Sequence, residues 1–202
     1  MSVNGNPPAG TADYVYPGVI EKREKAAIER AKSDARQGNI QNPVVRDILP
    51  ATDLDAGDDA DWSPDRNRWY QTPDVDSPSD GAWDTGTYQV YEIDSDTGRG
   101  DDRVITIYGF EAIEGAEYVE TVLFRGSDGQ VFERAKVEGL TSDGDTEVDR
   151  QKILRSPVSF AAQDNATIEL ELANSTNTED IVRVKFLGVT AEKQGRTLGN
   201  RA

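Results

Sequence analysis

Two stretches of this sequence are dense enough in carboxylates to suggest metal chemistry. Asp94-Ser-Asp96-Thr-Gly-Arg-Gly-Asp101-Asp102 lies between two segments that alternate like strands, and Asp53-Leu-Asp55-Ala-Gly-Asp58-Asp59-Ala-Asp61 precedes a run of Trp and Pro. Calcium takes about six to eight oxygen ligands, and D-x-D-x-G loops supply several of them over a short span. Neither stretch completes an EF-hand, because the third ligand, its Gly and the closing Glu are misplaced. Asp94, Asp96 and Asp101 are the better candidate for calcium or another divalent cation, since a hairpin would preorganise them. The plainer reading is solvation, with Asp placed for its hydration.

Other chemistries are excluded or unmarked. The chain has no Cys and no His, which rules out disulfides, zinc–thiolate sites, cysteine nucleophiles and histidine-based triads. It holds no G-x-x-x-x-G-K-[ST], G-x-G-x-x-G or G-x-S-x-G. Paired carboxylates run glycoside hydrolysis at separations of about 5 to 9.5 Å. With 38 acidic residues such pairs arise at random, and nothing marks one as buried. Arg99-Gly100-Asp101 matches an adhesion tripeptide, but a Gly-rich loop between strands explains it equally well. The expectation is a non-enzymatic protein that needs no cofactor.

Charge says more about the surroundings. The 202 residues carry 38 carboxylates against 22 cations, a formal net charge of −16. Such self-repulsion destabilises a compact state in dilute buffer. In molar salt the Debye length falls to about 3 Å and most of that cost disappears. The acidic bias continues inside well-patterned segments, so a protein adapted to high salt is favoured over one with a single acidic tail. The charge sign argues against direct nucleic-acid contact, which is driven by Lys and Arg. The N-terminus lacks the basic and apolar regions of a signal peptide. No apolar run approaches the ~18 residues of a membrane span.

Five regions follow in order. Residues 1–18, rich in Pro, Gly and Asn, read as an extended arm with Tyr14 and Tyr16 as sticky points. Residues 19–38 read as a helix, VIEKREKAAIERAKSDARQ, with Gly38 placed to terminate it. Its apolar stripe of Ile20, Ala27, Ile28, Ala31 and Ala35 is thin, which suggests a solvated strut or an edge that meets a partner through Ile20 and Ile28. Residues 39–86 form an irregular acidic segment containing Trp62, Trp69 and Trp83. Aromatics in such a segment suggest anchoring to a surface rather than a free linker. Residues 87–190 read as an antiparallel β-sandwich or jelly roll. Residues 191–202 form a polar tail.

Within the β region, strands are predicted at 87–93, 103–110, 118–125, 130–138, 158–162, 167–172 and 181–189. Seven short strands without alternating helices argue for a sandwich and against a parallel βαβ sheet. Ser127-Asp128-Gly129 predicts a hairpin turn. The clearest pattern is Ala166–Val189, two alternating runs around an Asn/Ser/Thr loop, which predicts a further hairpin. Arg183 and Lys185, with Arg196 in the tail, form a basic end suited to an acidic neighbour.

The ending, with its predicted hairpin, the Val184-Lys-Phe-Leu-Gly188 run and the short polar tail, resembles small β-sandwich structural proteins of tailed viruses. The acidic composition is similar to that of viruses infecting haloarchaea. The resemblance implies a head, vertex, turret or connector component of a virion, made in the host cytoplasm and working without chemistry. Its partners would be other virion proteins or copies of itself, in a homo-oligomer or larger assembly. It transfers no functional residues. The competing reading is a carbohydrate-binding β-sandwich, with or without calcium, whose Trp side chains stack on sugars. On this layout the sandwich should fold without residues 1–50 but fail to assemble. The charge yields a direct expectation: lowering NaCl from molar to about 0.1 M lengthens the Debye length to about 10 Å and lowers the melting temperature. A melting temperature unchanged across that range refutes the high-salt reading.

Overall fold

The computed structural model describes residues 17–48, 53–56, 70–71, 84–93, 103–126, 128–136, 151–161, 165–175 and 182–194. These form two antiparallel sheets packed face to face, with one helix laid on the outside of the first, so the sandwich expectation holds.

The helix, α1, runs Pro17–Gln37. Proline suits the first helical position, where its missing N–H is not needed. The helix ends in a Schellman turn: Ile40 N–H donates to the Ala35 carbonyl at 2.8 Å and Asn39 N–H to the Arg36 carbonyl at 3.2 Å. The left-handed residue is Asn39, with φ 65°, one position beyond the Gly38 predicted for that role. The helix carries six cations (Lys22, Arg23, Lys25, Arg30, Lys32, Arg36) against four carboxylates.

The first sheet has the order β1-β10-β5-β8, from β1 (Val44–Asp47), β10 (Val182–Glu192), β5 (Arg103–Glu114) and β8 (Gln151–Phe160). The two-residue β3 (Tyr70–Gln71) also pairs with β10. The second sheet has the order β2-β4-β9-β6-β7, from β2 (Asp55–Ala56), β4 (Gly86–Ile93), β9 (Ala166–Leu172), β6 (Val119–Gly126) and β7 (Val131–Lys136).

One predicted hairpin forms. β6 and β7 pair antiparallel. Gly129 N–H closes the turn on the Gly126 carbonyl at 2.9 Å, and Gly129 has φ +75°. A three-residue connection with glycine in the left-handed region is the expected geometry. The other predicted hairpin does not form: β9 pairs with β4 and β6, whereas β10 lies in the opposite sheet. Alternation fixes which face of a strand is buried, not which strand sits beside it. The pattern within β9 is as read, with Ala166, Ile168, Leu170 and Leu172 all buried.

The main core lies between the sheets. Tyr91 and Phe124 from the second sheet meet Phe160 and Phe186 from the first, with ring centroids 5.5 Å apart for Tyr91–Phe186 and 6.2 Å for Phe124–Phe160. A second cluster lies outside the first sheet, where Ala27, Ala31 and Ala35 of α1 are fully buried against Val104, Tyr108, Ile153, Val189 and Ala191. Ile20 and Ile28 join its margin, partly buried. The Ala–Ile edge is therefore taken up by the chain's own sheet. Alanine makes this possible, because a side chain of one carbon lets a polar helix approach closely enough to exclude water.

A bulge at Tyr108 adapts β5 to its two coverings. Val104 and Tyr108 face the helix, Ile105, Ile107 and Phe110 face the sandwich core, and the pairing to both neighbours shifts between Ile107 and Gly109. Burial, and then the charges of Glu24 and Asp47, push the Tyr108 phenol up to about 12. The backbones are tight here: a Cβ on Gly109 would lie 2.6 Å from the Lys152 carbonyl oxygen, and one on Gly188 2.8 Å from that of Thr106. Gly109→Ala and Gly188→Ala should each cost about 1–3 kcal/mol of stability through backbone displacement. Gly18→Ala, in open surroundings, should change it by less than about 1 kcal/mol. Equilibrium denaturation of the three variants checks this ranking.

Candidate functional site

The densest polar constellation among the described residues is buried at one end of the first sheet, on its inner side. Strand register assembles it. Arg46 of β1 lies opposite Thr190 of β10, and Glu192 of β10 lies opposite Arg103 of β5. Asp53 enters from the segment after β1, beside Leu54, which is fully buried in the core.

Asp53 is saturated. Its Oδ1 accepts from Arg46 Nη2 at 2.8 Å and Arg103 Nη1 at 2.9 Å. Its Oδ2 accepts from Arg46 Nη1 at 2.8 Å and Thr190 Oγ1 at 2.8 Å. Arg46 turns its remaining edge to Glu192, donating from Nε at 3.3 Å and Nη2 at 3.1 Å. Two guanidinium groups thus face two carboxylates, and the cluster is neutral. The side chain of Asp53 has no exposed surface and that of Arg103 only 3%. Burial, the largest influence on Arg46, disfavours its charge. The hydrogen bonds and charges of Asp53, then of Glu192, outweigh it and hold the guanidinium above its ordinary range.

This arrangement corrects part of the metal expectation. Asp53 belonged to the weaker of the two carboxylate-rich stretches, yet all four of its acceptor directions are filled by protein donors, leaving none for a cation. Among the described residues no group of three or more acidic side chains is placed to hold a metal. Asp94, Asp96 and Asp101 lie outside the described residues, as do Tyr14, Tyr16, Trp62, Trp69, Trp83 and Arg196. Arg183 lies in β10, with its backbone opposite Glu114 and Tyr70. Lys185 pairs with Glu111 at 3.4 Å and stays 43% exposed. Of these predicted contacts, Arg183 and Lys185 lie among the described residues, two positions apart on β10.

The outer face of the second sheet is a solvated, mixed-charge surface. Arg125 bonds Glu169 at 2.6 Å and Arg134 bonds Glu171 at 3.1 Å, each across strands. Glu169 and Glu171 alternate with the buried residues of β9 and so lie on this outer face. Compared with protein families, curated proteins and solved structures, the chain matches none. No helix among the described residues is long and apolar enough to cross a membrane.

The buried cluster was not legible from the sequence. Its members are separated by 137 residues for Thr190–Asp53 and 146 for Glu192–Arg46, and only sheet register unites them. It bears on the expectation that the sandwich folds without residues 1–50. That deletion removes α1, β1 and Arg46, strips the cover from the first sheet and leaves Asp53 and Glu192 without their common partner, so it should unfold the domain. Removing one charge should show the same dependence. Asp53→Asn is expected to cost about 3–5 kcal/mol, since it leaves two buried cations facing one carboxylate. Glu171→Gln, in an exposed pair, should cost less than about 1 kcal/mol. Chemical denaturation of the two variants in the same salt tests the contrast.

Proposed function

We propose that this chain is a non-enzymatic structural subunit of a virion that works by binding its neighbours in a salty medium, as a head, vertex, turret or connector component. The observation that carries this reading is the saturated Asp53 cluster. The most concentrated set of buried charges among the described residues ties three strands and an incoming segment together, and every acceptor direction of Asp53 is taken by a protein donor. The anionic composition supports a high-salt setting, where direct contacts matter and long-range repulsion is screened. The resemblance to small sandwich proteins of haloarchaeal tailed viruses agrees with the layout of arm, helix and sandwich. Other virion proteins and further copies of this chain are the proposed neighbours.

Full-length protein in molar NaCl, viewed by electron microscopy and analytical ultracentrifugation, should form rings, shells or defined oligomers. A chain lacking residues 1–16 should keep its circular dichroism spectrum and lose that assembly, because Tyr14 and Tyr16 are the proposed arm contacts. A monomer that binds a glycan array, and loses binding on Trp69→Ala, would overturn this reading in favour of a carbohydrate-binding module.

A further inference from the structure

The buried face of α1 is accounted for by the sheet beneath it, which leaves the chemistry of its outer face. Lys22, Lys25 and Arg36 are exposed there, together with Glu21 and Glu29. Over its whole length the helix carries a net +2, from six cations against four carboxylates. The remaining residues hold 16 cations against 34 carboxylates, a net −18. More than a quarter of the chain's cations thus sit on a tenth of its residues, on an element fixed to the sheet by three fully buried alanines. Some are already engaged on the helix itself: Arg30 pairs with Asp34 at 3.4 Å and Lys32 with Glu29 at 3.4 Å.

We infer that the outer face of α1 is a docking surface for the acidic exterior of a second copy of this chain, joined head to tail. This rests on the assembly reading above and adds to it a face and a symmetry. Charge complementarity selects the occupant, because the residues of a copy outside α1 carry a net charge of opposite sign. The same argument disfavours a two-fold contact of α1 against α1, which would set two cationic faces together. A heterologous contact closes into a ring or continues as an open array, rather than stopping at a dimer. Lysine and arginine suit the task in high salt: with a Debye length of about 3 Å only groups in contact attract, and these long side chains reach a partner directly. A nucleic acid would also match the sign of the face, and its binding is one outcome of the test below.

The test compares full-length variants of equal charge. In one, Lys22→Glu, Lys25→Glu and Arg36→Glu reverse the helix face; in the other, Arg134→Glu, Lys136→Glu and Arg155→Glu make the same change in exposed residues of the two sheets. A milder set, Lys22→Gln, Lys25→Gln and Arg36→Gln, covers the case in which reversal disturbs the helix, and circular dichroism checks folding throughout. Sedimentation velocity in about 0.5 M and about 3 M NaCl spans two degrees of screening. The wild type should form species larger than a dimer. Both helix variants should weaken that association about tenfold or more, from loss of several contact pairs, and the sheet variant should associate as the wild type does. Helix variants that assemble normally would overturn the inference and leave the assembly reading standing. A wild type that stops at a dimer would remove the head-to-tail arrangement, and one monomeric in both salts would remove the second copy as occupant. Binding of a labelled DNA duplex that is lost in the helix variants would reassign the face to a polyanion and overturn the proposal.

Discussion

The fold depends on one strand having to be dry on both sides. β10 runs through the first sheet between β5 on one side and β1 and β3 on the other. Phe186 points into the sandwich, while Val189 and Ala191 point out toward α1. A strand in that position needs apolar groups on alternate residues in both phases and a cover on each side. The second sheet provides one cover and the helix the other. This is why a helix with so few large apolar residues is part of the domain: its alanines seal the outer face of the sheet at short range. The close backbone approaches at Gly109 and Gly188 arise within the sheet itself, at the shifts in strand pairing, where a Cβ would meet the Lys152 and Thr106 carbonyl oxygens of neighbouring strands.

The charged interior obeys a related constraint. Burying a carboxylate costs several kcal/mol unless donors replace its water. Asp53 meets that condition with two arginines and a threonine, and Glu192 supplies the second negative charge. The result is a neutral, hydrogen-bonded plug at the end of the sandwich, inside a chain whose net charge is −16. Excess negative charge is thus kept out of this interior cluster and carried elsewhere, where hydration and salt can deal with it. The cross-strand pairs on the outer face of the second sheet differ in exposure, Arg125–Glu169 being part-buried and Arg134–Glu171 exposed, and the exposed pair contributes far less.

These features fit a part that holds its shape while neighbours are arranged around it. The polar groups of the interior stabilise the domain, and the helix does two jobs with two faces. Its alanine face completes the fold, and its outer face concentrates cations on a molecule that is otherwise anionic. Such a division keeps the side chains that close the fold distinct from the charged ones at the surface.

The sequence by itself determined the class of the fold, the helix within two residues at its N-terminal end, the Gly126–Gly129 turn and the buried phase of β9. Each follows from local physics: period, propensity and the backbone freedom of glycine act over a few residues. The absence of Cys and His likewise settled which chemistries were closed. Only the tertiary structure decided that β9 and β10 lie in opposite sheets, that α1 packs on its own domain and that Asp53 is an arginine-bound structural carboxylate rather than a metal ligand. The reason is common to all three. Alternation and composition state how a residue wants to be surrounded, but partners distant in the chain are chosen by register and by which faces are left to cover. Those choices exist only once the sheets have formed.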